Sequence, residues 1–171
     1  GQYKRITNQV TSTMTGKSIP LGGSLIRPEA TGYGLVYFVT HMLARKNLVM
    51  DGMKVSISGS GNVAQYAAQK VIALGGKVLT MSDSNGYVLF EQGMTSEQLN
   101  ALIEHKEVKR GRISEFAALH GLAYFADQKP WNVAVDIALP SATQNEITLQ
   151  DAKTLVANGC VCIAEGSNMS T

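Results

Sequence analysis

The chain has 171 residues, of which 17 are glycine and four are proline, and it carries 15 basic against 13 acidic side chains. This length suits one domain with a substantial core. A net charge of +2 with only 16% charged residues argues against a nucleic-acid-binding protein or a disordered tail. The apolar stretches are shorter than the roughly 20 residues that a membrane-spanning helix needs. We therefore expect one domain over residues 1–171, without nucleic-acid or membrane partners.

The first 26 residues form a polar, irregular lead, and the first helix is predicted from Arg27-Pro28 to Arg45-Lys46. Proline suits the first turn of a helix, and apolar residues then recur at helical spacing. The lead has no apolar stretch typical of a signal peptide. Gly16-Lys17-Ser18 is not a phosphate loop, because the first glycine of that motif would have to stand where Thr11 does.

The rest of the chain alternates between short apolar strands and helices. Strands are predicted over Lys54–Ser58, Lys77–Ser82, Tyr87–Phe90 (a small hairpin strand), Leu122–Phe125, Val135–Leu139 and Val161–Ala164. Helices are predicted over residues 62–74, from Thr95 towards Lys109, over Ile113–His120 and over Thr148–Ala157. Thr95 and Gln98 fit a capping box. This alternation predicts an α/β fold with a doubly wound, mostly parallel sheet and helices on both faces.

A glycine turn lies between the second predicted helix and the strand before it. The sequence from Gly59 to Ala64 fits G-x-G-x-x-A, and Asp83 follows at about the expected spacing of roughly 20 residues. In a Rossmann-type sheet Gly59 permits the tight turn and Gly61 lets the backbone approach a pyrophosphate. The helix N-terminus then holds that anion, and Asp83 can accept hydrogen bonds from an adenosine ribose. These features favour a dinucleotide-binding site. A turn that binds nothing and a methyltransferase site for S-adenosylmethionine are the alternatives.

Four further motifs, together with the glycine turn, resemble the coenzyme-binding domain of bacterial-type glutamate dehydrogenases. They are RPEATGYG at 27–34, SDS at 82–84, PSATQNE at 140–146 and AEGSNM at 164–169. The resemblance covers essentially the whole chain. It implies the reversible oxidative deamination of L-glutamate to 2-oxoglutarate and ammonia, with hydride transfer to or from a nicotinamide.

The same resemblance implies that the chain is a fragment of a longer enzyme. In this family the preceding domain supplies the catalytic lysine and aspartate, most of the glutamate pocket and most of the hexamer contacts. We therefore expect no catalytic residue in this chain, no turnover by the chain alone, and a homohexameric, cytoplasmic whole enzyme.

The resemblance also implies individual binding roles. Thr31 would contact the nicotinamide end of the dinucleotide. The pyrophosphate would be held by the side chain of Asn62 and the backbone of the turn, at Gly59, Ser60, Gly61, Asn62 and Val63. The nicotinamide-ribose side would be lined by Ala142, Thr143, Gln144 and Asn168. Ser167 and Ser170 depart from the family, in which alanine and proline are common at these positions.

The choice between NADP and NAD rests on opposing charges. Asp83 favours NAD, because its carboxylate repels a 2′-phosphate. A cluster of cations favours NADP, namely Lys106, Lys109, Arg110 and Arg112, although such a cluster is also typical of a solvated helix end. By resemblance Lys106 is the phosphate contact, Ser84 hydrogen-bonds the phosphate, and Ser60 is typical of NADP-linked members. We predict NADP, with NAD as the alternative.

Two other functions stay open. One is an amino-acid dehydrogenase of the leucine or phenylalanine type, and the other is a non-catalytic dinucleotide-binding module.

The two cysteines, Cys160 and Cys162, are predicted to share a strand face as small buried apolar groups in a reducing compartment. Their positions are too constrained for a disulfide. The three histidines form no pattern typical of a catalytic triad, and no metal site is predicted.

Overall fold

The computed structural model describes residue 6, residues 19–21 and residues 27–170. Its helices are α1 (Arg27–Ala44), α2 (Asn62–Ala73), α3 (Ser96–Glu107), α4 (Ile113–His120) and α5 (Leu149–Ala157), with 3-10 turns at Ile19–Leu21 and Pro130–Asn132. Its strands are β1 (Lys54–Ile57), β2 (Lys77–Asp83), β3 (Gly86–Leu89), β4 (Ala123–Ala126), β5 (Ile137–Leu139) and β6 (Cys162–Ile163). Thr11 and Gly16-Lys17-Ser18 lie outside the described residues.

The six strands form one sheet in the order β4-β3-β2-β1-β5-β6. β1 pairs in parallel with β2 and with β5, and β6 pairs in parallel with β5. β3 runs antiparallel to both of its neighbours, because only Ser84 and Asn85 connect it to β2. The predicted mostly parallel, doubly wound sheet and its hairpin strand are confirmed.

Two apolar clusters cover the two faces of the sheet. Alternate residues of one strand point to opposite faces, so Ile137 and Leu139 of β5 join the larger cluster and Ala138 joins the smaller one. Helices α1 to α4 pack on the larger cluster, while Trp131 and Leu155 of α5 complete the smaller one. Full burial of a Leu or Ile side chain contributes about 1.5–3 kcal/mol, so both layers stabilise the sheet. Among the described residues no helix is long and apolar enough to cross a membrane.

Gly32 allows α1 to lie directly against α2. A Cβ at this position would stand 2.7 Å from the Cβ of Tyr66 and from the amide nitrogen of Ala67, and 2.8 Å from the carbonyl oxygen of Val63. Real Cβ atoms do not approach backbone so closely, and packed interiors yield little to relieve such a contact. Gly32, the first of the two glycines in RPEATGYG, therefore serves helix packing.

The expected arrangement of the two cysteines is wrong. Cys162 is buried in the larger cluster, whereas Cys160 packs against the smaller one and is half-buried. Cys160 precedes β6, so the alternation rule for strand faces does not apply to it. Burial raises the pKa of both thiols above the ordinary value, and both cysteines are free.

The predicted capping box of α3 is confirmed. The Gln98 N–H donates to the Thr95 hydroxyl oxygen at 3.2 Å, and the Thr95 N–H donates to Oε1 of Gln98 at 2.9 Å. We expect Thr95→Ala to lower the free energy of unfolding by about 1 kcal/mol, since it exposes a helix N–H without a partner. Urea denaturation measures this change. Thr154→Ala is the matched control, because that hydroxyl bonds only to the carbonyl of Gln150 within α5; equal losses in both variants would contradict a capping role.

Candidate functional site

A cleft of about 550 Å³ opens at the carboxyl ends of β1, β2 and β5. After β1 the chain builds outward on the β2 side and later returns to the β5 side, and ligands of open α/β sheets bind at such switch points. The predicted site residues that line the cleft are Gly59, Ser60, Gly61, Asp83, Ser84, Ala142 and Thr143. The other lining residues are Ser58, Ser82, Gly86, Asp127, Gln128, Lys129, Pro130, Ser141 and Glu146.

The two glycines of the turn have different reasons to be glycine. Gly59 has a φ of +86°, and a Cβ there would stand 3.0 Å from the carbonyl oxygen of Ser141. Gly61 has a φ of −87° and a ψ of −168°, which any residue adopts, and a Cβ there would meet no described atom within 4 Å. The fold therefore requires Gly59, whereas at Gly61 the absent side chain keeps the space in front of α2 open.

The N-terminus of α2 is available to an anion. Gly61 is its N-cap and offers no side-chain cap, and the first N–H groups of a helix have no partner within the helix. Asn62 is exposed at the first helical position, with Val63 half-buried behind it. Together with the positive end of the helix dipole, these N–H groups form a site suited to phosphate.

Buried serines hold the turn between its neighbouring strands. The Gly59 N–H donates to the Ser82 hydroxyl oxygen at 2.8 Å, which ties the turn to the end of β2. The Ser141 N–H donates to the Ser58 hydroxyl oxygen at 2.9 Å, which ties β5 to β1. From behind, Gln65 Nε2 donates to the Ser60 carbonyl at 2.9 Å. Ser58, Ser82 and Gln65 were not predicted as site residues, although Ser58 directly precedes the glycine turn and Ser82 begins the SDS motif.

Asp83 has a structural partner on α4. Its Oδ2 accepts the N–H of Ile113, the first residue of that helix, at 3.1 Å, and its Oδ1 accepts the N–H of Asn85 at 2.9 Å. Each oxygen keeps a lone pair for a ribose hydroxyl. Burial, followed by the charges of Asp83 and Asp127, raises the pKa of Tyr124, while Arg112 opposes that shift. The end of the cleft beside β2 therefore combines two carboxylates, Asp83 and Asp127, with one guanidinium.

The predicted cations take up different positions. Arg112 Nη1 donates to the hydroxyl of Ser84 at 3.1 Å, so its charge lies at the edge of the cleft. Lys106 Nζ instead donates to the carbonyl of Gly111 at 3.2 Å. Lys109 pairs with Glu104 at 3.8 Å on the surface. Among these cations, the structure favours Arg112 as the partner of a group bound near Ser84.

The opposite side of the cleft is formed by the segments that follow β5 and β6. Ala142 and Thr143 line the cleft, and Gln144 is exposed on the same loop. Asn168 is exposed in the segment after β6, which the Gly166 N–H ties to the Pro140 carbonyl at 2.8 Å. The structure thus brings the two predicted nicotinamide-side segments together.

Thr31 lies outside the cleft lining. It is exposed on α1, next to the Gly32 contact with α2.

Lys129 and Glu146 line the cleft but were not predicted as site residues. Glu146 ends the PSATQNE motif, which was its signal, while Lys129 had none. Residues 27–170, with the shorter described parts, contain no cluster of His, Cys, Asp and Glu that could hold a metal.

Comparisons with known proteins agree with this geometry. The family model for glutamate/leucine/phenylalanine/valine dehydrogenase matches residues 22–171. NADP-specific glutamate dehydrogenases of Haemophilus influenzae and Escherichia coli are 54% and 52% identical over 171 residues. These matches cover all of this chain and 38% of each relative. A solved structure of Plasmodium falciparum glutamate dehydrogenase superposes with a TM-score of 0.90 and 49% identity, over 99% of this chain and 37% of that one.

Proposed function

This chain belongs to the glutamate/leucine/phenylalanine/valine dehydrogenase family, and on that premise we propose that it binds NADP(H) as the coenzyme domain of a glutamate dehydrogenase. The whole protein would then catalyse the reversible oxidative deamination of L-glutamate to 2-oxoglutarate and ammonia. One observation carries the proposal: a single cleft is lined both by Gly61, the N-cap of α2 without a side-chain cap, and by Ser84, to which Arg112 donates. It thus offers separate positions for a pyrophosphate and a 2′-phosphate.

The residues present fit this cofactor. The open space at Gly61 admits a pyrophosphate to the first N–H groups of α2, and Gly59 turns the backbone towards it. Asp83 accepts from the adenosine ribose with the lone pairs that Asn85 and Ile113 leave free. When bound, the nicotinamide supplies the hydride acceptor or donor, and the protein orients it. Ala142, Thr143, Gln144 and Asn168 are proposed to hold the nicotinamide ribose, with Thr31 near the nicotinamide itself.

The preference for NADP follows from how the adenosine end is arranged. Both oxygens of Asp83 accept backbone N–H groups, which offset part of its negative charge. The guanidinium of Arg112 reaches Ser84 from the same side and can bind a phosphate through two parallel N–H groups. Lys106, which holds the carbonyl of Gly111, stays a predicted phosphate contact, and it supports the loop before Arg112.

A binding titration tests the proposal with the chain as it stands. Trp131 is its only tryptophan, and its emission overlaps the absorption of reduced nicotinamide, so bound NADPH quenches it. We expect NADPH to bind more tightly than NADH, and S-adenosylmethionine not to bind. We also expect no glutamate oxidation by the 171-residue chain. Equal affinity for NADPH and NADH would contradict the NADP preference, and turnover by the chain alone would contradict the division of roles.

The substrate and the assembly are part of the proposal for the whole protein. Relatives named for glutamate support glutamate over leucine or phenylalanine, and an assay of the whole protein with the three amino acids distinguishes them. The homohexamer and the cytoplasmic location implied by the resemblance stay predictions. Sedimentation of the whole protein tests the first of these.

A further inference from the structure

Glu146 joins three segments around the nicotinamide side of the cleft. It lines the cleft but is only 7% exposed. Its Oε1 accepts the Ala142 N–H and the Ser167 hydroxyl, both at 3.2 Å. Its main-chain oxygen accepts Lys129 Nζ at 2.7 Å and the Trp131 indole N–H at 3.1 Å. One residue therefore holds the loop after β5, the segment after β6 and the turn after β4.

Two serines complete the contact with the segment after β6. The Ser167 hydroxyl lies within hydrogen-bond distance of Glu146, of the Pro140 carbonyl at 3.3 Å and of the Ser170 hydroxyl. A hydroxyl has one hydrogen to donate, and a carboxylate is the strongest of these acceptors. Ser170, which is fully buried, can donate to Ser167 and so leave that hydrogen for Glu146.

The backbone also pairs these two segments. The Asn145 N–H donates to the Met169 carbonyl and the Ile147 N–H to the Ser170 carbonyl, both at 2.9 Å. The side-chain bonds of Glu146 are thus flanked by one main-chain bond on each side, from Asn145 and from Ile147. A buried carboxylate is costly unless hydrogen-bonded, so its presence favours the arrangement in which Ala142 and Ser167 both reach it.

This arrangement lies on the nicotinamide side by the geometry of the sheet. Asp83 places the adenosine at the end of β2, and the glycine turn places the pyrophosphate at the end of β1. The other half of a dinucleotide then extends over the ends of β5 and β6. The backbone at Ala142 and Thr143 lines that part of the cleft, and its position depends on the bond from Ala142 to Glu146.

We propose that Glu146 is a positioning residue for the nicotinamide half of the cofactor, acting through Ala142 on one loop and Ser167 on the other. The inference rests on the proposed function. The inference predicts a selective effect. Removing the carboxylate should weaken binding of the nicotinamide half of the cofactor and leave binding of the adenosine half, at Asp83, Ser84 and Arg112, unchanged.

The test compares NADPH with adenosine 2′,5′-bisphosphate, which has the adenosine end and no nicotinamide. We expect Glu146→Ala to weaken NADPH binding about tenfold, as the loss of a charge-assisted bond does. Glu146→Gln, which keeps an acceptor oxygen, is expected to recover part of that loss. Binding of the bisphosphate is expected to change less than about twofold in both variants. Isothermal titration measures both ligands, and the thermal unfolding transition confirms that the variants fold.

Ser167→Ala provides a second variant that leaves no large cavity. It is expected to weaken NADPH binding in the same direction by a smaller factor, and to add nothing to Glu146→Ala in the double variant, because the two residues act through one bond. Glu91→Gln is the control. Glu91 is an exposed carboxylate that follows β3, and because β3 is antiparallel to β2 it lies towards the amino end of β2, away from the cleft; no change is expected.

Three results would overturn the inference. Unchanged NADPH binding in Glu146→Ala would remove the positioning role, and equal losses for both ligands would reduce Glu146 to a general structural residue. Additive losses in the double variant would separate Ser167 from Glu146. If Glu146→Ala fails to fold, the affinities of Ser167→Ala and Glu146→Gln for NADPH and for the bisphosphate provide the same test. Failure of the unaltered chain to bind either ligand refutes the proposed function itself, which is a distinguishable result.

Discussion

Replacing Gly61 with serine is expected to weaken NADPH binding by about 100-fold or more while changing the free energy of unfolding by less than about 1 kcal/mol. The backbone at Gly61 is extended and a Cβ there meets no described atom within 4 Å, so the fold accepts a side chain. Serine is also a favoured N-cap. Its hydroxyl would accept the helix N–H groups on which the pyrophosphate depends, and its Cβ would stand where the phosphate approaches.

The measurement pairs this variant with Gly59→Ala. Gly59 has a φ of +86°, and its Cβ would meet the Ser141 carbonyl oxygen at 3.0 Å, so Gly59→Ala is expected to lower the free energy of unfolding by about 1–3 kcal/mol. Urea denaturation and the Trp131 titration separate the two effects. If Gly61→Ser bound NADPH normally, the N-terminus of α2 would not be the pyrophosphate site.

Replacing Arg112 with alanine is expected to weaken NADPH binding about 30-fold and to leave NADH binding within about twofold. The guanidinium lies at the edge of the cleft through its bond to Ser84, and a charge-assisted bond to a phosphate contributes about 1.5–3 kcal/mol. NADH lacks the 2′-phosphate and so loses nothing specific. Titrations at two salt concentrations strengthen the test, because screening reduces a phosphate–guanidinium attraction.

Lys106→Ala is the companion variant. Lys106 supports the Gly111 carbonyl just before Arg112, so its loss is expected to weaken NADPH binding by a smaller factor, about threefold, again without affecting NADH. Equal losses for both cofactors would refute a phosphate role for either cation. A larger loss in Lys106→Ala than in Arg112→Ala would restore Lys106 as the main phosphate contact.

Local signals in the sequence predicted most of the fold. The capping box at Thr95 and Gln98, the glycine turn at Gly59 and the short link between β2 and β3 each involve residues a few positions apart. Each therefore shows as a pattern along the chain. The alternation of strands and helices then constrained the parallel sheet, because crossover connections have one preferred hand. The shared face of Cys160 and Cys162 was the exception, since β6 begins after Cys160.

The partners of the site residues were less predictable. Asp83 bonds to Ile113, Arg112 to Ser84 and Glu146 to Ser167, and each pair is separated by at least 21 residues. No local pattern encodes such contacts, which depend on how the elements pack. For the same reason, the family resemblance indicated Lys106 among the four cations, whereas in the structure Arg112 donates to Ser84 at the edge of the cleft. Lys106 lies in the last turn of α3 and Arg112 is the N-cap of α4, and the spacing of the two cations along the chain does not show which one faces the cleft.

The bond between Asp83 and Ile113 constrains how cofactor preference in this domain can change over time. Because the carboxylate anchors the start of α4, its replacement would disturb the fold as well as the proposed ribose contact. Arg112 and Ser84 are exposed and are free to vary without that penalty. A lineage shifting between the two dinucleotides would therefore be expected to keep the acid and exchange the residues around it, and design of altered coenzyme use should begin there.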